Sequence, residues 1–328
     1  MTTAPDVTIV IVPRERFQIT RRSLESICAT TTVPFNLIYV DGGSPAATRR
    51  YLEGQARARG FRLIRTERYL TPNQARNLGI AAAATRYIVF VDNDVLVTSG
   101  WLDALVRCAE ETGAWVVGPL YCQGELERGV VHMTGGHAHV FDVDGMRRFR
   151  EDHRFLGQPL REVQPLLRRE RCEMVEFHCM LVRTDVFHRL GPLDEGLKSA
   201  LENPDFCMSV RQAGGAIYFE PAALVTYLPP PPVAWSDLRY FLLRWSDAWN
   251  RASLHHFQDK WQLADDDPTL AQQFKAWTWW RRQAMLPPNS VLARLLRTRT
   301  GPALAHRLAQ AEGRFNRWLV RGRRGSQG

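Results

Sequence analysis

The sequence has no C-x-x-C pair, no apolar run approaching 18 residues and no basic start before its first apolar stretch. The first absence removes the common zinc and dithiol motifs, so Cys28, Cys108, Cys122, Cys172, Cys179 and Cys207 are expected as buried thiols of a reducing compartment. The second removes a membrane-spanning helix, and the third removes a secretory leader, because "MTTAPDVTIVIVPRER" opens without Lys or Arg. A cytoplasmic protein is expected, with any membrane contact peripheral. Residues 281 to 328 lack lysine and hold one acid, Glu312, against eleven arginines, while the whole chain carries a formal charge of +9. The basic surplus therefore sits in the tail and the body is close to neutral. Such a tail suits an anionic surface, and with no nucleic-acid motif beside it the expected partner is a membrane rather than nucleic acid.

What is present is an alternation. The strand-like runs "VTIVIV" (7 to 12), "FNLIYV" (35 to 40), "FRLIR" and "YIVFV" are separated by the helical patterns "RRSLESICA", "ATRRYLEGQARARG" and "NQARNLGIAAAAT". A helix, "GWLDALVRCAEETG", and a strand, "AWVVGPL", continue the series. This rhythm predicts an α/β fold with a Rossmann-like, mostly parallel sheet, whose ligands gather beyond the carboxyl ends of the strands.

From about residue 120 the rhythm gives way to irregular, antiparallel structure around "HMTGGHAHVFDVDG", and "CEMVEFHCMLV" (172 to 182) is expected as a strand. Asn203 and Pro204 suit the start of a helix that Gly214 and Gly215 end, which sets Glu202 just outside its N-terminus. Pro229 to Pro232 make an extended linker. They divide the chain into an α/β domain, 1 to 228, and a helical, Trp-rich and basic extension, 233 to 328. Eight of the ten tryptophans follow residue 234, and packing of these helices against the first domain is their leading use. Near the end Leu304, Leu308, Ala311, Phe315 and Leu319 form an apolar stripe, with Arg307, Arg314, Arg317 and Arg321 on other faces.

The chemistry concentrates in "YIVFVDNDVLV", where Asp92 and Asp94 end a greasy strand. Two carboxylates two residues apart repel unless a cation or donors lie between them. With no Cys or His adjacent in sequence, the fitting guest is an oxygen-preferring ion, Mn²⁺ or Mg²⁺, whose remaining positions suit the phosphates of a nucleoside diphosphate. "FVDNDVLV" also resembles the nucleophile motif of haloacid-dehalogenase-type phosphatases, although that motif opens its domain and here three strands precede it.

Four blocks in order, "VTIVIVPRERFQITRRSLESI", "YVDGGSP", "NQARNLGIAAAATRYIVFVDNDV" and "FHCMLVRTDVFHRLGPLDEGL" through "ENPDFCMSVRQAGGAIYFEPAALVTY", resemble the family 2 glycosyltransferases, inverting enzymes of the GT-A fold. The match covers about two thirds of the chain. It implies transfer of a sugar from a nucleotide-diphosphate donor, a UDP-sugar, to a glycan or lipid-linked acceptor. In its terms Asp41 accepts a hydrogen bond from the base, and Pro13, Arg14 and Glu15 line the same pocket. Asp94 binds the metal directly, Asp92 touches ribose or, through water, the metal, and Arg76 faces the diphosphate. Where the family commonly carries E-D-x-D, this chain reads Glu202, Asn203, Pro204, Asp205. Glu202 is the expected general base, and Asp205 a supporting acid or an acid at a helix N-terminus. A metal-binding histidine common in the family is replaced by Tyr227, leaving water, His178, His137 or His139 for the third position. These departures keep open a noncatalytic, nucleotide-sugar-binding subunit.

Overall fold

The computed structural model describes residues 6–14, 16–124, 129–228 and 233–285, with positions 307, 311 and 314. It opens with the expected alternation: β1 (Val7–Val12), α1 (Thr20–Thr30), β2 (Asn36–Gly42), α2 (Ala46–Arg59), β3 (Arg62–Thr66), α3 (Pro72–Ala82) and β4 (Tyr87–Asp92). A short β5 (Val95–Val97), α4 (Trp101–Thr112) and β6 (Val116–Gln123) follow. The middle holds β7 (Val130–Met133), β8 (Gly136–Val143), β9 (Met146–His153), α5 (Leu160–Val163) and β10 (Glu170–Cys172). Then come β11 (Cys179–Arg183), α6 (Asp185–Leu190), α7 (Glu202–Gln212), β12 (Ile217–Tyr227), α8 (Leu238–Arg244), α9 (Asp247–Trp261) and α10 (Pro268–Met285).

The sheet runs β10-β12-β6-β11-β4-β1-β2-β3, with β5 on β12 and β7 on β6. Its β3-β2-β1-β4 half is parallel, and β11 joins antiparallel to both β4 and β6. All six residues of β1 and of β4 are buried, as central strands covered on both faces must be. In the register Val12 stands beside Asp92, so the chain leaving β1 and the carboxylate ending β4 reach the same edge together.

Helix α3 lies unusually close to the sheet. A Cβ on Gly79 would come within 2.3 Å of Val10 Cγ1, so only glycine permits this approach. Thr71 and Gln74 form a capping box around Pro72, which fixes where the helix begins and sends Arg76 inward.

Two expected elements differ. The strand proposed over 172 to 182 is broken, because β10 pairs with β12 whereas β11 lies between β6 and β4, and residues 173 to 178 carry the chain across. Helix α7 begins at Glu202 rather than after Asn203. Leu201 adopts a left-handed turn (φ 69°), and the Asn203 side chain is committed to the backbone N–H of Phe177, 3.1 Å away.

One hydrophobic core runs from Val7 to Leu270 and includes Phe257, Trp261 and Leu263. The helices after residue 233 therefore pack into the same core as the strands before residue 228. Trp245 and Trp261 are buried there as expected, while Trp235 is 90% exposed. Residues 229 to 232 and most of the basic stripe lie outside the described residues. Of that stripe's positions Arg307, Ala311 and Arg314 are helical and exposed. Among the described residues no helix is long and apolar enough to cross a membrane.

Candidate active site

Asp92 and Asp94 flank the turn between β4 and β5, both buried. The residue between them explains their pose. Asn93 accepts from the backbone N–H of Arg14 (3.0 Å) and donates to the carbonyl of Arg16 (2.8 Å) and to Thr20 Oγ1 (3.1 Å). It stitches the turn to the loop after β1, and with its own side chain turned to that loop, Asp92 and Asp94 carry the acidic chemistry.

Asp92 Oδ2 receives Arg14 Nη1 at 3.0 Å and stands 3.3 Å from His178 Nδ1, while Oδ1 lies 3.4 Å from Arg76 Nη2. Burial opposes ionisation of Asp92, but His178 and the two guanidiniums outweigh it and hold the carboxyl far below its usual range. His178 reaches this place through strand pairing. The Asp92 N–H donates to its carbonyl at 3.0 Å, so the two residues are opposite one another across β4 and β11. Burial first, and Arg14 second, push the imidazole down to about 4, so it is neutral at pH 7. Asp92, Asp94 and His178 each offer a ligand atom within 4.8 Å of the others. Two carboxylates and a neutral imidazole suit Mn²⁺ or Mg²⁺, the former better because imidazole is a borderline-soft donor.

Arg76 lies beneath this turn, 1% exposed, with its guanidinium 4.1 Å from the Phe177 ring. Besides Asp92 it bonds Asn73 Oδ1 (3.1 Å) and stands 3.8 Å from Glu202 Oε1. One buried cation thus links the acid that ends β4 to the acid that begins α7. Arg244, the last residue of α8, stands 3.4 Å from the same Glu202 Oε1 and also donates to the carbonyl of Ser199. Among the described residues Glu202 Oε2 has no hydrogen-bond partner. The arginines fix one oxygen and leave the other able to accept a proton.

The remaining expected residues separate. Asp41, the penultimate residue of β2, accepts from Ser44 N (3.0 Å), Ser44 Oγ (2.8 Å) and Arg65. It closes the turn to Ser44, and its Oδ1 has accepted a single bond. Pro13 is buried, its carbonyl accepting from Tyr240 of α8 at 3.2 Å. Glu15 lies outside the described residues. Asp205 is engaged by α9, receiving Lys260 Nζ at 2.8 Å and Trp261 Nε1 at 2.9 Å. That geometry makes it an anchor for the C-terminal helices rather than an attendant of Glu202. Neither His137 nor His139 reaches the aspartates: they pair with Asp152 (2.8 Å) and Glu173 (2.6 Å) on and beside the β8–β9 hairpin. Tyr227 sits with its ring 5.1 Å from that of His178. Arg244 is the site residue that sequence reasoning missed, and the sequence offers His178 only as one of three histidines, with nothing to single it out. Neither carried a local signal, because one is placed by register and the other by packing of a distant helix.

A cavity of about 440 Å³ opens at the opposite ends of the strands, lined by Thr8, Cys28, Leu37 and Arg62 among others, and touches none of these groups. The carboxyl edge carries the chemistry, as open α/β sheets dictate.

Known proteins agree on the fold. The chain is 28% identical over 221 residues to the uncharacterized protein y4gI of Sinorhizobium fredii, covering 64% of this chain and 23% of that one. It is 26% identical over 224 residues to the pre-mycofactocin glycosyltransferase of Mycobacterium tuberculosis, covering 68% and 42%. It spans less than half the length of either relative. Among solved structures, that of GalNAc-T7 with UDP, GalNAc and Mn²⁺ superposes with a TM-score of 0.53 at 18% identity, over 86% of this chain and 57% of the other. The GT-A fold is shared. Residues 8–191, more than half of the chain, match the family model described as Glycosyl transferase family 2, and the chain belongs to that family.

Proposed function

We propose that the chain is a metal-dependent, inverting glycosyltransferase that moves a sugar from a nucleoside-diphosphate donor, a UDP-sugar, to a hydroxyl of a glycan or lipid-linked acceptor. The observation that carries this reading is the buried pair Asp92 and Asp94 at the carboxyl edge, tied through Arg76 to a second acid, Glu202, with one unengaged oxygen. Asp92 and Asp94 would hold Mn²⁺ or Mg²⁺, which when bound neutralises charge on the departing diphosphate. Asp41, near the end of β2, one strand beyond β1 at the same edge, has an acceptor position left for a base N–H.

Glu202 acts as general base. As the acceptor oxygen forms its bond to the anomeric carbon and the bond to the diphosphate oxygen breaks on the opposite face, Oε2 takes the hydroxyl proton. Arg76 and Arg244 hold the carboxylate in place for that step. The phosphatase alternative loses its footing, because Asp92 is enclosed by two arginines and the matched family is a transferase one.

The test is UDP release from UDP-sugars with and without acceptors, for wild type and Glu202→Gln. The variant should lose roughly 10²- to 10⁴-fold in kcat while still binding UDP, the usual contribution of a positioned base. Equal turnover by both proteins removes Glu202 from the mechanism. Burial of Glu202 (5% exposed) also suits the competing reading, a nucleotide-sugar-binding subunit without turnover, and that reading prevails where wild type binds donors but transfers none.

A further inference from the structure

We propose that His178 is a direct protein ligand of the divalent ion, in the place that the family resemblance assigns to residue 227, and that Glu176 positions its ring. The inference rests on the metal-dependent reading above and adds to it the third ligand and the residue that orients it.

The imidazole of His178 is 3% exposed and stands between two carboxylates, with Asp92 Oδ2 3.3 Å from Nδ1 and Glu176 Oε2 3.6 Å from Nε2. A ring that ligates a cation carries one proton, so the nitrogen facing the ion presents its lone pair and the other can donate to the remaining carboxylate. Nδ1 has no hydrogen-bond partner of good geometry despite its depth. An unpaired buried acceptor facing an anion is costly, and it is relieved when a cation sits on that side of the ring. Nδ1 is also the side on which Asp94 joins, within 4.8 Å.

Glu176 is built to serve the other nitrogen. Its carboxylate is 7% exposed and cannot swing away, because Oε2 is bonded by His132 Nε2 at 2.8 Å and Oε1 by Asn203 Nδ2 at 3.4 Å. With a cation at Nδ1 the single ring proton belongs on Nε2, facing Glu176. Histidine ligands are commonly oriented by a carboxylate on their second nitrogen. Asn203, which cannot be a base, acquires a use here: it fixes Glu176 and, through Oδ1, the backbone N–H of Phe177 beside His178. Tyr227 has its ring against that of His178, so the two side chains occupy adjoining space.

The rival arrangement places an ion among His132, Glu176 and His178 Nε2, whose ligand atoms also lie within 4.8 Å. It would require Nε2 to give up its proton and would break the His132–Glu176 bond.

The experiment is electron spin-echo spectroscopy of Mn²⁺ bound to the full chain, alone and with UDP, together with calorimetric Mn²⁺ affinity. Wild type should show modulation from an imidazole nitrogen. His178→Ala should lose it and bind Mn²⁺ at least tenfold more weakly, and Glu176→Gln, which keeps the side-chain volume should the alanine variant fail to fold, should weaken binding about 10- to 100-fold. Mn²⁺ bound by wild type without a nitrogen signal, or equally tightly by His178→Ala, overturns the inference and leaves the metal-dependent reading standing. A signal that survives His178→Ala but vanishes in His132→Ala places the ion in the rival cluster and overturns it as well. No Mn²⁺ uptake by wild type, with or without UDP, removes the metal-dependent reading itself and this inference with it.

Discussion

The two acidic halves of the site are held by different means. Asp41 and Asp92 end strands whose register is fixed by unbroken parallel ladders, and both belong to the segment matched by the family. Glu202 and Asp205 stand on one helix, beyond that segment, and are gripped by Arg244, Lys260 and Trp261 from helices later still. Backbone pairing sets the first half; buried ion pairs and packing set the second. The C-terminal helices also reach the first half, where Asp237 accepts from the N–H groups of Phe17 (3.0 Å) and Gln18 (3.1 Å) in the loop after β1. They clamp both sides of the site.

The contrast implies that the two halves are most exposed where a single charge joins them, at Arg76. Removing one member of a buried ionic network leaves its partners uncompensated, at a cost of about 3–5 kcal/mol. Arg76→Met should therefore lower the urea unfolding free energy by that amount at pH 7. A loss below about 1 kcal/mol would show that Arg14 and Arg244 suffice and that the halves are electrostatically independent.

A smaller effect should come through the histidines behind the site. His153 Nε2 stands 3.5 Å from Glu151 and 3.8 Å from Glu176, the residue that also holds Asn203 of α7, and Asp152 and the His132 ring are its other polar neighbours. Burial works against charge on His153, but Glu176 and Glu151 outweigh it and lift the imidazole to about 9. Because the folded value lies above the unfolded one near 6.5, this stabilisation is complete below about pH 6.5 and lost as pH rises through 9. Wild type should lose on the order of 2 kcal/mol across that interval that His153→Gln does not. Parallel melting-temperature profiles for the two proteins would remove His153 from the cement of the second half.

How much could be read from the chain beforehand follows the same division. β1, β2 and β4 announce themselves as apolar runs, and a strand's end is where its carboxylates must emerge, so Asp41, Asp92 and Asp94 were legible. Glu202 was found through the motif but misplaced by one element boundary, because a left-handed Leu201 carries no sequence signal of the kind glycine gives. His178 could not be paired with Asp92 without knowing that β11 inserts antiparallel beside β4. Arg244 lies 42 residues from Glu202 in sequence, and only tertiary packing brings them together. Asn93 carries no sequence signal of its own, yet its three bonds tie the turn to the loop after β1 and to α1.

The finest test separates the two acids of α7. Glu202 keeps an oxygen without a hydrogen bond, whereas both oxygens of Asp205 are occupied by α9. Burial outweighs the pull of Lys260 and raises the Asp205 carboxyl, so its charge costs the fold something that an amide would not. In Asp205→Asn the amide oxygen can still accept from Trp261, and Lys260 retains Asp194 at 3.0 Å. Stability should then change by no more than about 1 kcal/mol, within the range of a partly compensated hydrogen bond, and kcat should stay within a few fold of wild type. A fall of a hundredfold or more in kcat with unfolding and UDP binding unchanged would return Asp205 to the chemistry. It would also show that α9 steers the acceptor side of the reaction rather than bracing it.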